Sequence, residues 1–196
     1  MENRPVRRLA AEAVIRAVKE HAIVTEALQS LADEIGRSAS LIVEAIANGG
    51  KVMLCGNGGS ASDAQHIAGE LVGRFLKERR ALPAEALSTN SSVVTAIAND
   101  YGFDQVFARQ VLALGTAGDV LIAISTSGNS QNVVQAAQAG RQRGFRVIGL
   151  TGSDGGKLKD QCELCLCIPS TSVPRIQEMH ILVGHVICQL VEEAFC

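Results

Sequence analysis

The amino-acid sequence predicts an α/β fold: a three-layer α/β/α sandwich with a five-stranded parallel sheet, flavodoxin-like, preceded by a helical arm. Three observations predict it. Short apolar runs alternate with stretches of helical periodicity, which implies parallel pairing and right-handed crossovers. The clearest runs, KVMLC at 51–55 and DVLIAIS at 119–125, are apolar almost throughout, so both sheet faces are covered. Both runs lead into a glycine-rich polar turn followed directly by a helix. In open sheets of this kind, ligands bind beyond the carboxyl ends of the strands.

The elements follow in order. Residues 6–48 read as helix, with Leu9, Val14, Ile15, Val18, Ile23, Leu28, Leu31, Ile35, Leu41, Ile42 and Ile46 at helical spacing. A bend is allowed near His21, and Asn48-Gly49-Gly50 ends the segment. So long an arm exceeds what one small sheet can cover, and it is expected to pack against another subunit. The strand at 51–55 is followed by GNGGSASDAQHIAGELVGRF, a turn and a helix. AEALS at 84–88 is a weaker strand, and 91–99 and 104–113 read as short helices. After the strand at 119–125, a turn and helix run to Gly144. FRVIGLTG at 145–152 and LCLCIP at 164–169 are the last strands, and a final helix spans about 174–194. The whole, 1–196, reads as a single domain: 1–50 for oligomer packing and 51–196 as α/β core with the C-terminal helix.

Composition limits the function classes. Aromatics are 3% with no Trp, and the net charge is −2, which argues against base stacking and phosphate-backbone binding. No nucleic-acid partner is expected. No run approaches the roughly 18 apolar residues of a membrane helix and no targeting segment is visible, so the expectation is a cytoplasmic protein without a membrane partner. Of six cysteines, Cys162 and Cys165 form a CxxC, but no second pair completes a zinc knuckle. They read as reduced thiols in apolar surroundings, with a redox role as the lesser alternative.

The two polar turns carry the candidate chemistry. Ser125-Thr126-Ser127-Gly128-Asn129-Ser130 puts four hydroxyls directly before a helix. Backbone N–H groups and the positive helix end favour an anion there, and the lack of a P-loop lysine suits a sugar phosphate better than a triphosphate. One such turn is as often a plain serine-capped turn; two at neighbouring strand ends point to a crevice. The first turn, Gly56-Asn57-Gly58-Gly59-Ser60, opens the helix that carries His66 and Glu70. Four apart, they share a face, where they can hold a divalent metal, act as an acid/base pair, or simply form a surface ion pair. In the last helix, Gln177, His180 and His185 interrupt an apolar pattern.

GNGGSASDAQHIAGEL, TAIANDYGFDQVFARQV, GDVLIAISTSGNSQNVV, LTGSDGGKL and RIQEMHILVGHVI together resemble the phosphoheptose isomerases, members of the sugar-isomerase (SIS) superfamily. The resemblance covers nearly the whole chain. It implies conversion of sedoheptulose 7-phosphate to glycero-manno-heptose 7-phosphate, at the entry to the heptose of lipopolysaccharide core or other surface glycans. It also implies a cytoplasmic homotetramer with active sites between subunits and one Zn2+ per subunit. By the same resemblance, Asn57, Gly58, Gly59, Asn99 and Asp100 would contact the sugar, and Ser125, Thr126, Ser127 and Ser130 the phosphate. His66, Glu70, Gln177 and His185 would bind zinc, with Glu70 and Gln177 also touching substrate, and Glu70 and His185 would be the acid/base pair. Pro174 stands where many relatives have a polar residue.

Gln177 and His185 are eight apart, roughly 12 Å along one helix, so sharing an ion requires a long reach or a second chain. His180 is the rival ligand. A related branch, the DnaA initiator-associating protein, is a tetrameric binding module; it has no need of Glu70 or His185, and their presence favours the enzyme. A sugar-phosphate sensor would carry a basic recognition helix, which the sequence lacks, and a hexose or pentose phosphate is an alternative substrate for the same chemistry.

Overall fold

A computed structural model describes residues 4–196. The arm is α1 (Arg4–Leu28), a 3-10 turn (Gln29–Leu31) and α2 (Ala32–Ala47). The core follows as β1 (Val52–Gly56), α3 (Gly59–Val72), β2 (Ala84–Ala86), α4 (Ser91–Tyr101), a 3-10 turn (Phe103–Gln105), α5 (Ala108–Leu114), β3 (Val120–Ser125), α6 (Gln131–Gln142), β4 (Arg146–Thr151), α7 (Gly156–Lys159), β5 (Leu164–Cys167) and α8 (Val173–Phe195). The five strands are all parallel, in the order β2-β1-β3-β4-β5. This is the flavodoxin-like order, whose switch point, and hence ligand crevice, lies between β1 and β3.

Successive strand residues feed two cores, as the period-2 geometry of a strand requires. Val52, Leu54, Ile122, Ile124, Ile148 and Leu150 pack with α2, α3 and α8, whereas Met53, Cys55, Leu121, Ala123 and Val147 pack with α5 and α6. At the amino ends of β1 and β3, the buried Asp119 accepts from Lys51 Nζ at 2.7 Å, Lys51 N at 2.9 Å and Thr116 N at 2.8 Å. Burial alone would raise its pKa, but these donors hold it below the ordinary carboxylate value.

The arm departs from expectation in one place. The helix runs straight through His21, whose Nδ1 pairs with Glu178 at 2.8 Å. It breaks instead at Gln29–Leu31, where the Ser30 hydroxyl donates to the Ala27 carbonyl at 2.8 Å and so competes with the helical ladder. Val24 and Leu28 are buried in the core, but Leu9, Val14, Ile15, Val18 and Ile23 are each more than half exposed. No helix among the described residues is long and apolar enough to cross a membrane.

Candidate functional site

The crevice is bounded by the two glycine turns. After β1, Gly58 takes a positive φ of 55°, which a side chain would strain. Gly59 opens α3, and a Cβ there would collide with the amide of Gln177. Asn57 and Asn132 exchange reciprocal amide hydrogen bonds at 2.8 and 2.9 Å. Because Asn132 sits in the first turn of α6, this pair ties the two turns together across the switch point.

In the second turn, Ser125 is buried at the end of β3 and its hydroxyl donates to Ser130 Oγ at 3.0 Å. Ser130 caps α6. Ser127 Oγ accepts from Asn129 N at 3.1 Å, and Gly128, with φ 64°, lies so close to Gly155 that no side chain fits. Thr126, Ser127 and Asn129 line a cavity of about 280 Å³ together with Ser153, Ser170 and Thr171. Asp154 adds a carboxylate to this lining, and Ser125, Ser130 and the first residues of α6 are not part of it.

At the other end of the site, His185 Nε2 lies 3.0 Å from His66 Nε2, and His66 Nε2 lies 3.2 Å from Glu70 Oε1. One donor atom from each of His66, Glu70 and His185 falls within 4.8 Å of the others. The cause is the seating of α8 alongside α3. Gln177 meets Gly59, and Gly184 lets Ile67 approach to 2.6 Å from where its Cβ would stand, which brings the next residue, His185, onto His66. The His185 ring also stacks on Phe75, with centroids 5.5 Å apart. Two imidazole nitrogens facing each other need a shared proton or a cation between them. With a carboxylate oxygen beside them, the donor set is that of a three-ligand zinc site with a position left open for substrate.

The other candidates divide. Gln177 packs its amide on Gly59, seven residues and about two turns before His66 along α3. His180 is fully buried; its Nε2 bonds the Thr151 carbonyl at 3.1 Å, and burial, partly offset by that bond, lowers its pKa to about 4. It is a neutral core histidine under the end of β4, not a ligand of the cluster. Asn99 and Asp100 are exposed near the end of α4 and bond each other at 2.8 Å, rather than the cluster.

Sequence reasoning missed Asn132, Phe75 and a buried carboxylate at Glu192. Glu192, 2% exposed, accepts from the backbone N–H groups of Phe75, Leu76 and Lys77 at 2.7–2.8 Å. Its partner Arg79 lies 3.5 Å away and donates to the carbonyls of Glu70, Gly73 and Arg80. The signal was present: Ile176, Met179, Val183, Ile187, Cys188 and Val191 form a buried stripe, and Glu192 falls within it.

The sequence matches the SIS domain family over residues 17–152. It is 57% identical to a phosphoheptose isomerase of Rhodospirillum rubrum, over 86% of this chain and 90% of that protein. With a phosphoheptose isomerase of Nitratiruptor it shares 60% identity, over 81% of this chain and 85% of the other. The solved phosphoheptose isomerase of Neisseria gonorrhoeae superposes with a TM-score of 0.89 at 44% identity, covering 94% of this chain and 99% of that one.

Proposed function

The chain belongs to the phosphoheptose isomerase family, and on that premise we propose that it interconverts sedoheptulose 7-phosphate and D-glycero-D-manno-heptose 7-phosphate through an enediol. The observation that carries the reading is the convergence of His185, from the far end of the chain, on the His66–Glu70 pair. A binding module has no use for that convergence, so the DnaA initiator-associating alternative is not favoured.

Ser125, Thr126, Ser127 and Ser130 hold the phosphate at the amino end of α6, and the turn of Asn57, Gly58 and Gly59 receives the sugar beside Gln177. Asn99 and Asp100, on the exposed α4, would line the sugar pocket. From the ketose, Glu70 removes the proton on C1 and returns it to C2, and His185 moves a proton between the two oxygens. A carboxylate has two oxygens, so one can bind an ion while the other takes the proton. His66, Glu70 and His185 would hold a zinc ion, with Gln177 as a fourth ligand only by a long reach along α8 or from a second chain, and the ion would supply Lewis-acid polarisation of the substrate oxygens. Positioned electrostatic stabilisation of this kind is needed because sugar carbons are weak acids.

The exposed apolar stripe of α1 supports a homotetramer whose arms cover one another, acting in the cytoplasm at the entry to heptose for lipopolysaccharide core or other surface glycans. The test is an isomerase assay on sedoheptulose 7-phosphate, with and without a chelator, on protein whose size is set by sedimentation. Turnover is expected from a tetramer and is expected to collapse on metal removal. No turnover on any sugar phosphate would turn the reading to the binding module. Full activity in a metal-stripped sample would remove zinc, and an active monomer would remove the assembly.

A further inference from the structure

Three cysteines gather on the far edge of the sheet, outside the site. β5 is the edge strand, and its Cys165 and Cys167 register with Gly149 and Thr151 of β4. Gly149 has no side chain, and the sulfurs of two cysteines share the space. A Cβ there would lie 2.6 Å from Cys162 Sγ and 3.1 Å from Cys165 Sγ. Thr151 Oγ1 lies 3.5 Å from Cys165 Sγ and 3.4 Å from Cys167 Sγ. All three thiols are free and only half-buried.

We propose that Cys162 and Cys165 form a redox modification site, a dithiol that closes to a disulfide under hydroperoxide. Cys165 and Cys167 are unsuited to bridge each other. Two apart on an extended strand, their Cβ atoms point the same way roughly 6.6 Å apart, beyond the ~4.5 Å that a disulfide spans. Cys162 sits in the turn before the strand and has no such restriction.

The two sulfurs differ in the way a nucleophile and its resolving partner differ. The neighbouring Cys162 sulfur, against the opposing effect of burial and aided by Thr151, Cys167 and Lys159, lowers Cys165 to about 6, and the same contact together with burial raises Cys162. In the first step the Cys165 thiolate attacks a peroxide oxygen. An S–O bond forms, the O–O bond breaks, and the leaving hydroxide takes a proton from solvent. In the second, the Cys162 sulfur attacks the Cys165 sulfur. The S–S bond forms, the S–O bond breaks, and the hydroxyl leaves as water with the Cys162 proton. Two electrons pass from the thiols to the peroxide.

The dithiol is wired to the hydroxyl turn. The Cys162 thiol donates to the Leu158 carbonyl at 3.1 Å, and Leu158 N donates to the Gly128 carbonyl at 2.9 Å. Closing the disulfide removes the first donor and loosens α7 from Gly128. This consequence, unlike the dithiol itself, rests on the reading of that turn as the phosphate loop.

The experiment treats the full-length protein with hydrogen peroxide, maps its peptides by mass spectrometry and measures kinetics on sedoheptulose 7-phosphate. A Cys162–Cys165 disulfide is expected, with KM raised severalfold and restored by dithiothreitol. Cys162→Ser keeps a hydroxyl donor for Leu158 but cannot bridge, and its KM is expected to ignore the oxidant until Cys165 is over-oxidised. Intact thiols after treatment, a bridge elsewhere, or Cys165 driven to sulfinic acid in the wild type would each overturn the dithiol. A mapped bridge with unchanged KM would overturn only the coupling. The peptide map decides the dithiol even if the protein turns over no sugar phosphate.

Discussion

Glu70→Gln is expected to lower kcat by about 10²–10⁴-fold, the worth of a positioned general base, while leaving substrate binding largely intact. Glutamine keeps the size and polarity of the side chain but cannot accept the carbon-bound proton. The phosphate turn, on different elements, is untouched by the change. Ser127→Ala gives the opposite split. The phosphate is bound equally in ground and transition states, so its loss raises KM more than it lowers kcat. Steady-state kinetics on both variants, with metal content measured alongside, separates the roles. A Glu70→Gln enzyme with native kcat and a full complement of zinc would remove Glu70 as the base. The zinc measurement matters because Glu70 also stands in the His66–His185 cluster, and loss of the ion would mimic loss of the base.

The second large effect is on stability. Glu192→Ala is expected to destabilise the fold by about 3–5 kcal/mol, the range for removing one partner of a buried ion pair. It strands Arg79, which is 1% exposed, and leaves the N–H groups of Phe75, Leu76 and Lys77 without their acceptor. For a chain of this size the loss corresponds to a fall in Tm on the order of 10 °C. Activity should fall too, because the freed loop carries Phe75, which stacks on His185.

The same carboxylate makes a pH dependence. Burial raises its pKa, but the three backbone donors and Arg79 outweigh that and hold it below 4.5. The stability it contributes is therefore complete above pH 4.5 and is lost as pH falls through the lower folded value. Thermal melts of wild type and variant across that range check the sign. If Glu192→Ala melts like the wild type at neutral pH, the buried pair contributes nothing.

Local sequence signals made the order of elements legible. β1, β3 and β4 have glycines at both ends and are apolar enough to be read alone, whereas β2 has only Pro83 before it and β5 only Pro169 after it. The edge strand β2 is shorter than its sequence suggested, three residues rather than five: Ala84–Ala86 are in register with β1, and Leu87 N makes the last bond to it, to the Leu54 carbonyl at 2.9 Å. The break at Ser30 was hidden because serine occurs in both straight and interrupted helices. His66 and Glu70 were readable as a pair, since four residues of one helix fix their facing. Helical spacing alone could not put His185 rather than His180 beside them; the family resemblance alone favoured His185. That choice depends on how α8 lies along α3, which Gly184 and Gly59 set by what they lack. Glu192 was overlooked for the converse reason: one acid at the end of a helix reads as surface until the register of the apolar stripe is followed to its last turn.

The reciprocal amide pair of Asn57 and Asn132 has a consequence for substrate choice. On the proposed reading, locking one turn to the other would make the crevice a gauge, with the phosphate held by the hydroxyl turn and the proton moved by Glu70 and His185. A five- or six-carbon sugar phosphate seated on the same hydroxyls would present the wrong carbons to Glu70. Selectivity for seven carbons would then reside in a distance rather than in a contact. Comparing kcat/KM for pentose, hexose and heptose phosphates in the wild type and in Asn132→Ala reads that length directly: discrimination should relax in the variant, and unchanged discrimination would show that the gauge lies elsewhere.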